Sequence, residues 1–200
     1  MWEISPYKGC STVWILQALR DNHRGRLYSF DVANNSSPYI PQDLNQLWKL
    51  IIGDFKLTYA SPDLPNPDYV FLDSYHSAEF GMFYTRTLFP FIMLSNKNND
   101  KETIPVSLHD VFHPGFWADG VKGRDVRVYP DFMANEEGLV VVEWLAFNRD
   151  ATRVFTFATS RVNYTNNKHF ATLLRSRAEV LQGLTPGRIN PTLFFELHRG

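Results

Sequence analysis

The sequence predicts an α/β domain built on a mainly parallel sheet with helices on both faces. Three observations predict it. Strand-like and helix-like segments alternate along the whole chain, residues 68–73 (Asp-Tyr-Val-Phe-Leu-Asp) form the near-continuous apolar run of a strand buried on both faces, and the composition is that of an ordinary globular protein. The chain has 200 residues, 44% apolar and 20% charged, which is enough for one sizeable core and argues against disorder or coiled coil. A single domain over residues 1–200 is expected, with no internal repeat and no linker.

Residues 2–5 read as a first strand, ended by Pro6 and Gly9. The amphipathic run 13–19 follows as a helix, with Ser11 or Thr12 placed to cap it. Residues 26–32, aromatic and β-branched after Gly25, make a second strand; 41–49 read as a helix and 50–55 as a third strand that turns at Gly53. A proline-rich loop over 57–67 leads into the fourth strand, 68–73, and then into the longest helix, 77–93. The fifth strand, 104–110, carries Pro105 near its start, where an edge or first-residue proline is tolerated. Residues 112–130 lack periodicity and are rich in glycine and aromatics, the length of a functional loop, with His113, Phe116, Trp117, Arg124, Arg127 and Tyr129 available to an acceptor. A helix over 135–147, a strand over 153–160, a helix over 168–184 and a strand over 192–198 complete the chain.

Lys plus Arg number 20 and Asp plus Glu 21, a net charge of −1 with no long run of either sign, so nucleic acid is not expected as a partner. The one cysteine, Cys10, has no partner for a disulfide or a CxxC site, which suits a reducing, cytoplasmic setting. Arg86 and Pro90 interrupt the most apolar segment, 80–94, so no membrane span is expected, and the first residues show no targeting pattern. The aromatic content leaves a homo-oligomer open.

In an open α/β sheet, ligands bind beyond the carboxyl ends of the strands. Polar residues follow each predicted strand there: Glu3, Ser5, Gly9, Ser11 and Thr12 around the first, Asp31 after the second, Asp54 after the third, Asp73 to His76 after the fourth, and His109-Asp110 after the fifth. The first turn lacks both GxGxxG and a Gly-Lys-Ser/Thr ending, so NAD and ATP are disfavoured. Asp31, roughly 20 residues after the turn, stands where a carboxylate holds ribose hydroxyls, which suits an adenosine ligand without a pyrophosphate.

Residues 3–12, Asp31, Gly53-Asp54, residues 71–77 (Phe-Leu-Asp-Ser-Tyr-His-Ser) and 107–111 (Ser-Leu-His-Asp-Val) together resemble the class I S-adenosylmethionine-dependent methyltransferases. The branch they look most like has a D-x-x-H-S segment and includes macrocin-type sugar O-methyltransferases and cephalosporin-hydroxylase-like proteins. The resemblance implies a Rossmann-like sheet, mainly parallel with a late antiparallel strand, the last strand matching 190–195. It also implies site roles: Glu3, Ser5, the Gly9 turn, Ser11 and Thr12 at the methionine end of the cofactor, Asp31 at the ribose, Asp54 at the adenine amine, and Asp73 beside them. A divalent ion, Mg²⁺ or Mn²⁺, would be held by Asp73, His109 and Asp110, with His76 as the catalytic base and Asp73 assisting. Two positions depart from the pattern: Ser5 stands where many relatives have glycine, and His109 where several metal-using relatives have glutamate. The chain also opens in what should be a central strand, where relatives carry N-terminal helices, so a missing N-terminal cap region is expected.

The chemistry of the residues points the same way. A sugar or alcohol hydroxyl is a poor nucleophile near neutral pH, and methyl transfer to it needs a base, a metal that lowers its pKa, or both. The expected function is therefore methyl transfer from S-adenosylmethionine to a hydroxyl of a small-molecule or glycan acceptor. A methyltransferase-like binding domain without turnover and a nicotinamide-dependent oxidoreductase are the competing readings.

Overall fold

The computed structural model describes residues 1–95, 103–110, 136–148, 150–155 and 192–198. The expected loop over 112–130, with its six candidate residues, the helix over 168–184 and the end of the strand over 153–160 lie outside them. Within the described residues the elements are β1 (Trp2–Ile4), α1 (Cys10–Asp21), β2 (Leu27–Asp31), β3 (Trp48–Ile52), α2 (Phe55–Thr58), β4 (Val70–Leu72), α3 (Ala78–Phe83), α4 (Phe89–Ser95), β5 (Thr103–Leu108), α5 (Glu136–Phe147), β6 (Thr152–Phe155) and β7 (Leu193–His198). The strands form one sheet in the order β3-β2-β1-β4-β5-β7-β6. The first five run parallel, and β7 pairs antiparallel with both β5 and β6. This is the Rossmann-like methyltransferase sheet, mainly parallel with a late antiparallel strand.

Strand side chains alternate between two faces. On one face Trp2, Ile4, Phe30, Val70, Leu72, Ile104, Val106 and Leu108 join Phe55, Tyr84, Phe89 and Ile92 in the larger core. Trp2, Phe30 and Phe55 meet edge to face, with the Phe30 and Phe55 rings 4.8 Å apart. A smaller core of Leu16, Leu27, Ile40 and Leu44 lies with α1 on the other face.

The segment expected as a helix over 41–49 is instead a 3-10 helix, Gln42–Leu47, and β3 starts at Trp48 rather than at 50. Trp48 and Lys49 pair with Leu27 and Tyr28, so ladder hydrogen bonds with β2 override the apolar spacing that suggested a helix. Phe55 falls out of the expected third strand and opens α2, and Leu57 and Thr58 leave the expected loop to complete it. The long helix over 77–93 forms as α3 and α4 joined by a π-helical segment, Tyr84–Leu88. Pro90 explains the widening, because it has no N–H for the carbonyl of Arg86 and its ring would press on that turn.

Gly9 is the N-cap of α1 at φ +78°, and no side chain caps that helix. The expected capping by Ser11 or Thr12 does not occur, since both hydroxyls turn inward. A Cβ on Gly9 would lie 3.1 Å from Ile40 Cδ1 and 3.3 Å from Ser36 Cβ. Gly9→Ala therefore combines left-handed strain with a close contact and should destabilise the domain by about 1–2 kcal/mol, read as a lower urea midpoint at unchanged slope.

Candidate functional site

Ile4 is in register with Phe30 on one side and Leu72 on the other, and Leu72 with Leu108. The ladder continues one residue further: the N–H groups of Ser5, Asp73 and His109 donate to the carbonyls of Phe30, Ile4 and Leu72 at 2.8, 3.3 and 2.8 Å. Asp31, Ser5, Asp73 and His109 thus stand in one row across β2, β1, β4 and β5. At about 4.8 Å per strand the row spans roughly 14 Å. Ser5 in the row, and Tyr7, His76 and Asp110 in the turns just beyond it, all have positive φ (62°, 48°, 46° and 54°). Left-handed backbone at four non-glycine residues along one sheet edge is costly and marks a built site. Ser5 in particular holds a conformation natural to glycine.

Glu3 lies under this edge, fully buried. Strand alternation points it toward α1, where Ser11 Oγ donates to Oε1 at 2.7 Å and Thr12 Oγ1 to Oε2 at 2.9 Å. Ser29, its register partner on β2, donates to Oε2 at 2.6 Å, and the Trp48 indole N–H donates to Ser29 Oγ at 2.9 Å. Burial pushes the Glu3 carboxyl above its usual range, and the three hydroxyl donors oppose that rise. Three residues expected to line the cofactor, Glu3, Ser11 and Thr12, therefore face one another and fasten the turn from beneath.

Asp31 closes the turn from its rim, accepting from the Tyr7 N–H at 3.2 Å through Oδ2 and from the Ala33 N–H at 3.3 Å through Oδ1. Each oxygen keeps a further lone pair for a ligand hydroxyl. Asp54 is exposed and caps α2, accepting from the Lys56 N–H at 2.9 Å.

The residues after β4 and β5 converge. His109 Nδ1 is 3.0 Å from Asp110 Oδ1 and 3.5 Å from Asp73 Oδ1. Asp110 first and Asp73 second push the His109 imidazole up to about 10, against the effect of burial, so it is a cation at neutral pH. His76, its side chain one-tenth exposed, has Nε2 3.8 Å from Asp73 Oδ1 and Nδ1 2.9 Å from Glu137 Oε2. Asp73, His76 and Asp110 each offer one ligand atom, all within 4.8 Å of one another. That group replaces the expected His109 with His76. The carboxylates of Asp73 and Asp110 with an imidazole nitrogen are a donor set that a divalent ion could take, and His109 in this arrangement competes with an ion for the same oxygens.

Glu137 is the residue that sequence reasoning missed. It is fully buried, sits at the second position of α5, and the adjacent Glu136 made the pair look like ordinary acidic residues at a helix start. Burial pushes its carboxyl up and His76 draws it back. A separate groove of about 430 Å³ lies against α1 and is lined by Trp14, Tyr69, Phe71 and Phe194 among others; it includes none of Asp31, Asp73, His76, His109 or Asp110.

With this geometry in hand, comparisons with known proteins add two findings. Residues 3–93 match the sequence family described as "Methyltransferase domain". Solved structures that share the fold include three with TM-scores just above 0.5. A methyltransferase domain of bacterial CtHen1 (12% identity, TM-score 0.52) covers 100% of this chain and 88% of its own. A proposed caffeoyl-CoA O-methyltransferase from Staphylococcus aureus (14%, TM-score 0.53) covers 98% and 74%. The [4+2]-cyclase SpnF (9%, TM-score 0.51) covers 99% and 74%. No curated protein sequence matches the chain. Among the described residues no helix is long and apolar enough to cross a membrane.

Two outcomes follow from the His109 geometry. Its value near 10 exceeds the ordinary 6.5, so its ion pairs contribute fully below about pH 6.5 and are lost as pH rises toward 10. The thermal stability of the parent should fall over that window relative to His109→Gln, whose stability should be flatter. At neutral pH, Mn²⁺ against EDTA should leave the parent's melting temperature unchanged and raise that of His109→Ala, in which the imidazolium between the carboxylates is gone.

Proposed function

We propose that this chain is an S-adenosylmethionine-dependent methyltransferase that methylates a hydroxyl oxygen of a small-molecule or glycan acceptor in the cytoplasm. The observation that carries the reading is the single row of strand ends, with the Asp31 carboxylate at its rim, a strained turn beside it and a largely buried imidazole at His76 two strands away. The methyltransferase-domain match over residues 3–93 supports the cofactor, since it spans the turn, Asp31, Asp73 and His76.

S-adenosylmethionine, when bound, supplies an electrophilic methyl on a sulfonium sulfur. Asp31 accepts hydrogen bonds from the ribose hydroxyls while its backbone contacts keep the turn in place. The first turn of α1, which no side chain caps, offers its amides to the carboxylate of the amino-acid end. His76 accepts the acceptor's hydroxyl proton at Nε2, and the oxygen so exposed is aligned with the methyl. The ion pair of His109 with Asp73 and Asp110 keeps the local charge low without a metal.

A cofactor-binding domain without methyl transfer is the second reading, and the [4+2]-cyclase of similar fold favours keeping binding and turnover apart. Calorimetry with S-adenosylhomocysteine separates the parts. The parent should bind saturably, and Asp31→Asn should weaken binding by about 1.5 kcal/mol or more, over tenfold. His76→Ala should bind within about twofold of the parent and lose transfer of labelled methyl to a panel of sugar and alcohol acceptors. Folded parent that does not bind S-adenosylhomocysteine overturns the proposal, and binding without transfer to any acceptor selects the second reading.

A further inference from the structure

We propose that Tyr75 is the platform on which the methyl acceptor stacks, and that the acceptor is a hydroxyl-bearing ring with an apolar face, a sugar or an aromatic. The role of acceptor rests on the functional reading above; the ring-binding platform rests on the construction of the loop alone.

Of the five residues that join β4 to α3, 73–77, four are tied to the fold. The Asp73 N–H donates to the Ile4 carbonyl at 3.3 Å and extends the ladder. The Ser74 and Tyr84 hydroxyls bond each other, and Tyr84 is fully buried, stacked on Phe89 and edge-on to Phe80. His76 Nδ1 is 2.9 Å from Glu137 Oε2, and Ser77 caps α3 by accepting from the Phe80 N–H at 3.3 Å. Tyr75 is the exception: it is 81% exposed and meets no other ring or cation among the described residues.

The anchors come from two elements. Tyr84 opens the π-helical segment, and Glu137 reaches the loop because α5 packs into a notch at Gly81, where a Cβ would lie 3.0 Å from the Glu137 carbonyl oxygen and 3.0 Å from Val140 Cβ. Ser74 and His76 are thus held inward on either side of Tyr75, and His76 turns the chain at φ +46°. The ring between them is left to solvent on a backbone that is already ordered, so a ligand stacking on it loses little further entropy.

A singly exposed aromatic is common, and this chain has others, Trp14 and Tyr39 among them. Tyr75 differs in its place, next to the cluster of Asp73, His76 and Asp110 at the strand-end row. Tyr7, the other exposed tyrosine beside that row, has the Lys8 ammonium 5.6 Å from its ring centroid, so one of its faces is already used. A tyrosine offers a broad amphipathic face with few rotatable bonds, and stacking on it favours a flat ring over a straight chain. The Asp73 carboxylate, two residues away, accepts hydrogen bonds from hydroxyls on such a ring.

The test is ¹⁹F NMR of the full chain labelled with fluorotyrosine and loaded with S-adenosylhomocysteine in EDTA, the Tyr75 signal being assigned by its loss in Tyr75→Phe. Catechol and methyl glucoside are the ring probes, and hexanediol is the straight-chain control. At least one ring probe should shift the Tyr75 signal saturably while hexanediol does not, and the probe that does so identifies the acceptor as aromatic or as sugar. Read by saturation transfer to the probe, Tyr75→Leu should weaken its binding about fivefold or more and Tyr75→Phe should keep it within about twofold. A Tyr75 signal unmoved by both ring probes overturns the proposal, as does a folded Tyr75→Leu that binds them like the parent, or hexanediol that binds as well as they do. The titration is repeated without the nucleoside. A Tyr75 response to a ring probe in protein that does not bind S-adenosylhomocysteine overturns only the methyltransferase reading, and S-adenosylhomocysteine binding without any Tyr75 response overturns only this one.

Discussion

A buried carboxylate holds the site together. Glu3 accepts hydroxyls from two positions on α1 and one on β2, and the indole of Trp48 on β3 extends the chain of bonds. Four elements thereby meet at one side chain at the end of the central strand. The arrangement explains why α1 begins without a side-chain cap: the residues that would cap it are used on Glu3, and Gly9 makes the entry by backbone conformation alone. It also leaves the first amides of α1 open above a turn that is fastened from below by Glu3 and from the rim by Asp31.

The other half of the edge is governed by charge. Asp73, Asp110 and Glu137 bring three carboxyl groups close to two imidazoles, in a region where two of the acids are nearly or fully buried. The two histidines divide the work. His109 lies between Asp73 and Asp110 and is held as a cation, whereas His76 is turned toward Glu137. A histidine at position 109 thus sets a cation where a third acid would add another anion, a difference of two in the charge of the cluster.

Much of this was legible from residue order. Parallel-strand register follows from strands of similar apolar pattern joined by crossovers, and it placed Asp31, Asp73 and His109 at successive strand ends, which the ladder then aligns into one row. What sequence could not supply was which way a polar residue faces. Ser11 and Thr12 read as caps or ligand contacts, and only the alternation of β1, which turns Glu3 toward α1, makes them donors to a buried acid. Helical spacing over 41–49 was outweighed by pairing with β2, a non-local term that a local pattern does not contain. Glu137 was hidden for the same reason: its partner is 61 positions away, and only the notch at Gly81 brings them together.

The division between these halves bears on how a fold of this kind acquires a reaction. The segment that matches the methyltransferase domain, residues 3–93, contains the turn, Asp31 and the His76 loop, while His109, Asp110 and Glu137 fall beyond it. The matched part carries the turn and Asp31; the unmatched part supplies the contacts on Asp73 and His76. A sheet shared with a [4+2]-cyclase does not by itself fix the chemistry performed on it. In this chain two contacts reach the strand-end row from outside the matched segment, His109 on Asp73 and Glu137 on His76, so the arrangement around His76 depends on how α5 and the end of β5 pack against that row.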